Sequence, residues 1–149
     1  MRSEQELYAV FRPRRARTVA LVLAVLSLVG LGALAAFLPV TTGAAVGLVD
    51  RVGIALFGIA LAWFCYRQAS VRAVPDTDGL TVRNLFLSRR VEWAEIVSVR
   101  FGDRPWVQLD LADGETLAVM GIQRADGDVA RRESRRLATL VALHEAHRG

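Results

Sequence analysis

At 149 residues, with a net charge of +4 and a mean hydropathy of +0.32, the chain is too short for two soluble domains once its apolar runs are set aside. Its charge is uneven: residues 1–17 hold five Arg against two Glu, whereas residues 67–149 hold thirteen Arg against twelve acids. So neutral a C-terminal half offers nucleic acid no basic face. The single cysteine, Cys65, excludes an intramolecular disulfide and a thiolate metal site.

Residues 1–17 form a basic lead-in. From Thr18 to Leu38 the chain runs without a charge, and about 21 residues at 1.5 Å rise match a bilayer core of about 30 Å. Thr18 and Ser27 can bond back to helix carbonyls, and Gly30 and Gly32 offer places for a second helix to approach. Pro39, Thr41, Thr42 and Gly43 break the pattern. A second apolar run, read as a helix over 47–66, has Asp50 and Arg51 at its far end and Trp63 and Tyr66 at the near interface. Residues 18–67 are thus expected to be a two-helix transmembrane hairpin. Arg12, Arg14, Arg15 and Arg17 precede it and Arg67 and Arg72 follow it, against Arg51 alone between the spans. This bias places both termini in the cytoplasm of a multi-pass inner-membrane protein. A rival reading takes Ala33-Leu34-Ala35 as a signal-peptide cleavage site, but the apolar core is longer than the roughly 7–15 residues of a signal sequence.

From residue 68 to 149 the apolar period shortens to two. Val71 to Val74, then Leu80, Val82 and Leu85 or Phe86, read as two strands joined by a turn at Asp76 to Gly79. Val91 and Trp93 share one face of a third strand, which makes Trp93 a core residue. Val97, Val99 and Phe101 share one face of a fourth. Val107, Leu109 and Leu111 alternate with polar residues, Asp113-Gly114 supplies a tight hairpin turn, and Leu117 and Val119 resume the alternation. Asp126 or Asp128 can then cap an amphipathic helix carrying Val129, Leu137, Leu140, Val141 and His144 on one side. The fold class is therefore a membrane α-hairpin plus α+β: two transmembrane helices, then a small antiparallel β barrel or sheet with a C-terminal amphipathic helix.

Gly79-Leu80, Val82-Arg83-Asn84, Val91, Trp93, Glu95-Ile96 and Phe101, with the FRPRRAR lead-in at 11–17 and the two spans, resemble the bacterial PH-like domain membrane proteins of actinobacteria, among them the mycobacterial low-molecular-weight protein antigen group. The resemblance implies a PH-like, partly open barrel capped by the C-terminal helix. It does not imply phosphoinositide binding, because the first hairpin loop, Asp76 to Asp78, is acidic.

No nucleophile, phosphate-loop or dinucleotide motif is present, and His144 and His147, separated by Ala146 and Glu145, do not make HExxH. No enzyme activity, cofactor or metal is expected. The expected function is a membrane-anchored interaction module, an adaptor or scaffold at the inner leaflet that binds a protein partner or self-associates. Trp106, Arg104 and Arg100 are the candidate partner contacts, since Trp and Arg are enriched at binding hot spots. The alternative is anionic lipid headgroup binding by Arg83, Arg89 and Arg90 around the second turn, and by Arg131, Arg132, Arg135 and Arg136 on the polar side of the last helix.

Overall fold

The computed structural model describes residues 4–38 and 47–147, in two compact units. The expected loop residues Pro39, Thr41, Thr42 and Gly43 lie outside the described residues. One unit is the helical stretch Ala16–Ala69; the other joins the segment up to Arg15 with everything from Ser70 onward.

The helical unit is built on α2 (Arg14–Phe37) and α3 (Leu48–Ala69), preceded in the chain by the short α1 (Glu4–Leu7). At 24 and 22 residues, the two long helices extend about 36 and 33 Å, and both are apolar enough to cross a membrane. Val25, Leu26, Val29 and Phe57 are each about 60% exposed, a surface that an apolar solvent suits better than water. Ser27 bonds back to the Leu23 carbonyl at 2.7 Å as expected. The helix contact is not at Gly30 or Gly32, which have open space around them. It is at Gly58, where a Cβ would stand 3.0 Å from Leu31 Cβ and 3.3 Å from the Ser27 carbonyl.

The β unit holds two three-stranded antiparallel sheets, β1 (Arg72–Pro75), β2 (Gly79–Arg83) and β3 (Ser88–Glu92), then β4 (Ile96–Arg100), β5 (Trp106–Leu111) and β6 (Thr116–Gln123). Helix α4 (Asp128–Ala146) ends it. Strand β2 stops at Arg83, so Leu85 and Phe86 belong to a turn closed by Asn84 N–H to Leu87 O, 2.8 Å. The Asn84 side chain donates to Ala118 O and accepts from Met120 N–H, which fastens that turn to β6 in the other sheet. Gly79 has no room for a Cβ, which would fall 2.2 Å from the Val91 carbonyl.

Leu80, Val82, Val91, Trp93, Val107, Leu109, Val119, Leu137 and Leu140 lie in the buried core, so the period-two and helical readings held for these positions. Strand β4 departs from the expected face: its register slips between Ile96 and Ser98, Ile96 is buried, and Val97 is 62% exposed. A bulge adds one residue and reverses the alternation, leaving Val99 and Phe101 half-buried against the core.

The lead-in is the larger surprise. Phe11, which the sequence placed in the basic lead-in, is fully buried in that core. Its N–H donates to Ala73 O at 2.9 Å and its carbonyl accepts Ala73 N–H at 3.0 Å, so residue 11 bridges to β1. Asp126 does not cap α4, whose N-cap is Gly127 with φ 58°. Its carboxylate accepts the N–H groups of Arg14 and Arg15 at 2.8 and 2.9 Å, the orphan donors at the start of α2.

Candidate interaction surfaces of the β unit

Arg100, Arg104 and Trp106 do come together at the β4–β5 turn, around a depression of only about 10 Å³, room for about one water molecule. Arg100 is already engaged: its Nε and Nη2 donate to Asp110 at 2.8 and 2.6 Å across the sheet. These bonds first, and the Ser98 hydroxyl second, hold the Asp110 carboxyl below its ordinary range, while Asp110 raises the Arg100 guanidinium. Arg104 is exposed, and Trp106 is half-buried. Among the described residues its indole N–H has no hydrogen-bond partner.

The second cluster is largely neutralised. Arg89 pairs with Glu115 and, at 3.4 Å, with Asp113 on the β5–β6 turn. Glu115 is the main cause of its raised guanidinium. Arg90 grips Asp76 at 2.6 and 2.9 Å, and Asp76 also accepts N–H from Asp78 and Gly79. The Arg90 bonds lead in lowering the Asp76 carboxyl, partial burial opposes them, and the two backbone donors add to them. The acidic loop is thus a turn device. Arg83 is half-buried, while Phe86 and Leu87 at the turn tip are 71% and 74% exposed.

On α4 the four arginines separate. Arg131, Arg132 and Arg135 are exposed, but Arg136 is 6% exposed and is no lipid-facing residue. It donates to Glu6 O, pairs with Glu133, and lies 3.9 Å above the Phe11 ring. Its burial compensates for its charge with a carboxylate, a carbonyl and a π face. The signal was in the sequence: 129, 133, 136, 140 and 144 recur at steps of three or four residues, so position 136 falls on the buried stripe.

His144 also serves the interior. It stacks on Trp93 with centroids 4.8 Å apart, and its Nδ1 is 2.8 Å from Leu140 O. A carbonyl only accepts, so Nδ1 carries a proton, and Nε2 is hydrogen-bonded to the Tyr8 hydroxyl at 3.2 Å. Both nitrogens are committed, as is His147 Nδ1 to Leu143 O. Trp93 donates its indole N–H to Asp76 O at 2.9 Å.

A groove that the candidate residues only partly anticipate runs between β4 and α4. Val99, Phe101 and Ala138 form its floor, and Arg124, Arg131 and Arg135 stand along it, in two adjoining cavities of about 340 and 320 Å³ that share Phe101 and Arg131. Strand β4 is an edge: only β5 pairs with it among the described residues.

Residues 70–139 match the family described as Bacterial PH domain. Uncharacterized proteins of Mycobacterium tuberculosis and Mycobacterium bovis are each 40% identical over 82 residues, 54% of this chain and 53% of theirs. The chain therefore spans about half the length of the curated relatives it matches. No solved structure matches it. The two small antiparallel sheets and the C-terminal helix, built on a segment that matches this family, are consistent with a PH-like domain over residues 70–139.

Proposed function

We propose that this chain is a membrane-anchored interaction module, in which the apolar hairpin crosses the inner membrane and the PH domain recruits a protein partner on the cytoplasmic side. The observation that carries the reading is Phe11, fully buried and bridged to Ala73. Residues from both flanks of the apolar stretch build one compact unit, which supports a pair of spans that leaves the membrane on the side it entered. The arginine bias of those flanks supports the cytoplasmic side. Anchoring raises the domain's effective concentration near other membrane proteins. Affinity capture from native membranes in mild detergent, comparing the full chain with residues 16–69 alone, tests it. A protein captured only by the full chain supports the reading; identical sets from both baits refute it.

A second reading, contact with anionic lipid, rests on the exposed Phe86 and Leu87 beside Arg83. The ion pairs of Arg89 and Arg90 weaken it, since those charges are already met. Hydrogen exchange at Asn84–Leu87 that slows in anionic nanodiscs relative to zwitterionic ones, and recovers in high salt, is its expected signature; equal exchange in both refutes it.

A further inference from the structure

We propose that the groove between β4 and α4 takes an extended, acidic segment of a partner protein, which pairs with the free edge of β4; the inference rests on the interaction-module reading and names its binding surface. Three features converge. The outer edge of β4 carries backbone N–H and C=O groups that no strand uses among the described residues, the requirement for adding a strand. Val99 and Phe101, two positions apart and half-buried, line the groove together with Ala138. An added strand would therefore lay alternate side chains against that floor.

The charge selects the occupant. Arg124, Arg131 and Arg135 line the two cavities with no carboxylate among the lining residues. Arg124 is held in place by its bond to Gly102 O at 3.1 Å, and the carboxylate that Arg131 pairs with among the described residues is Asp128, 80% exposed, at 3.2 Å. These guanidiniums contrast with Arg89, Arg90 and Arg100, which the fold has paired across strands and turns. A segment with Asp or Glu flanking apolar residues complements this lining, whereas a basic segment is repelled. Length fits as well. From Gly127 to Ala138, α4 rises about 16 Å, the span of about five extended residues. The occupant is thus a short strand with acidic residues beside two or three Val, Ile or Leu at alternate positions.

The test uses the full chain in zwitterionic nanodiscs and a fluorescent library of eight-residue peptides in which Val or Leu alternates with Asp or Glu, with Lys-substituted and scrambled counterparts. The acidic set is expected to bind and to shift the amide resonances of Ile96–Arg100. Arg131→Glu with Arg135→Glu, both at exposed positions, should weaken it at least tenfold and admit the Lys set, while Arg89→Glu leaves it unchanged. Equal binding of Lys and acidic peptides, no binding of any peptide, or binding indifferent to the double reversal overturns the proposal. Repeating membrane capture with the double variant separates the two readings. Loss of the partner supports the groove. Retention overturns it and leaves the interaction module standing, and failure of the unmodified chain to capture anything beyond the hairpin bait removes both.

Discussion

Replacing Phe11 by Ala tests whether the lead-in is structural. The ring is fully buried among Ala73, the core strands and α4, with Arg136 stacked 3.9 Å above it. A buried Phe→Ala truncation costs about 3–5 kcal/mol in lost transfer energy and cavity formation. For a unit of roughly 95 residues, whose total stability is about 5–14 kcal/mol, that is about a fifth of the fold or more. At about 2 kcal/mol per molar urea, the unfolding midpoint should fall by about 1.5–2.5 M. The assay is urea unfolding of the full chain in mild detergent, read by pulse proteolysis and by Trp93 emission. Phe11→Leu, which retains most of the volume, should lose less than half as much. A midpoint shift below about 0.3 M for Phe11→Ala would refute the packing argument, because a detached basic tail cannot contribute to a distant core.

Asp126→Ala removes the acceptor for Arg14 and Arg15 N–H and should cost about 1–2 kcal/mol in the same assay, with faster hydrogen exchange confined to the first turn of α2. Asp128→Ala, at an exposed position with no part in that cap, should stay within about 0.5 kcal/mol. Gly79→Ala drives a Cβ into the Val91 carbonyl and should destabilise by about 3 kcal/mol or more, because backbone must move to relieve it. Asp76 and Asp110 both have lowered carboxyl pKa values in the fold. Their contribution is complete above the ordinary value of about 3.9 and is lost as pH falls through the lowered folded values. Urea midpoints taken from pH 5.5 to 3 should therefore decline on the acid side of about pH 4, and Asp76→Asn with Asp110→Asn should flatten that decline while raising no new dependence near neutrality.

Much of the fold was legible because it depends on local pattern. The alternation of Val107, Leu109 and Leu111, the Asp113-Gly114 turn with Gly114 at φ 84°, and the apolar stripe of α4 are all nearest-neighbour signals. What escaped depends on pairs remote in sequence. Phe11 is one hydrophobe among arginines, and nothing near it announces that Ala73 will be its partner. Asp126 resembles a cap for the helix that follows it, yet its carboxylate serves a helix beginning 112 residues earlier in the chain. The bulge at Ile96–Ser98 shifts a face by one residue without any Gly or Pro to mark it. The candidate site was legible only as a set of arginines. Sequence could not distinguish those neutralised by Asp76, Asp110 and Glu115 from Arg124, Arg131 and Arg135 along the groove, because the pairing acids come from other strands and turns.

The central claim, that the hairpin crosses the membrane and leaves the PH domain on the cytoplasmic side, is tested most directly by thiol labelling. In a Cys65→Ala background, Asp113→Cys places a thiol on the exposed β5–β6 turn, and Gly43→Cys places one between the two apolar runs. A membrane-impermeant maleimide applied to intact cells with a permeable outer envelope should label position 43 and spare position 113, which should react only in inverted vesicles or after detergent. Labelling of position 113 in intact cells, or the same sidedness at both positions, would contradict the account.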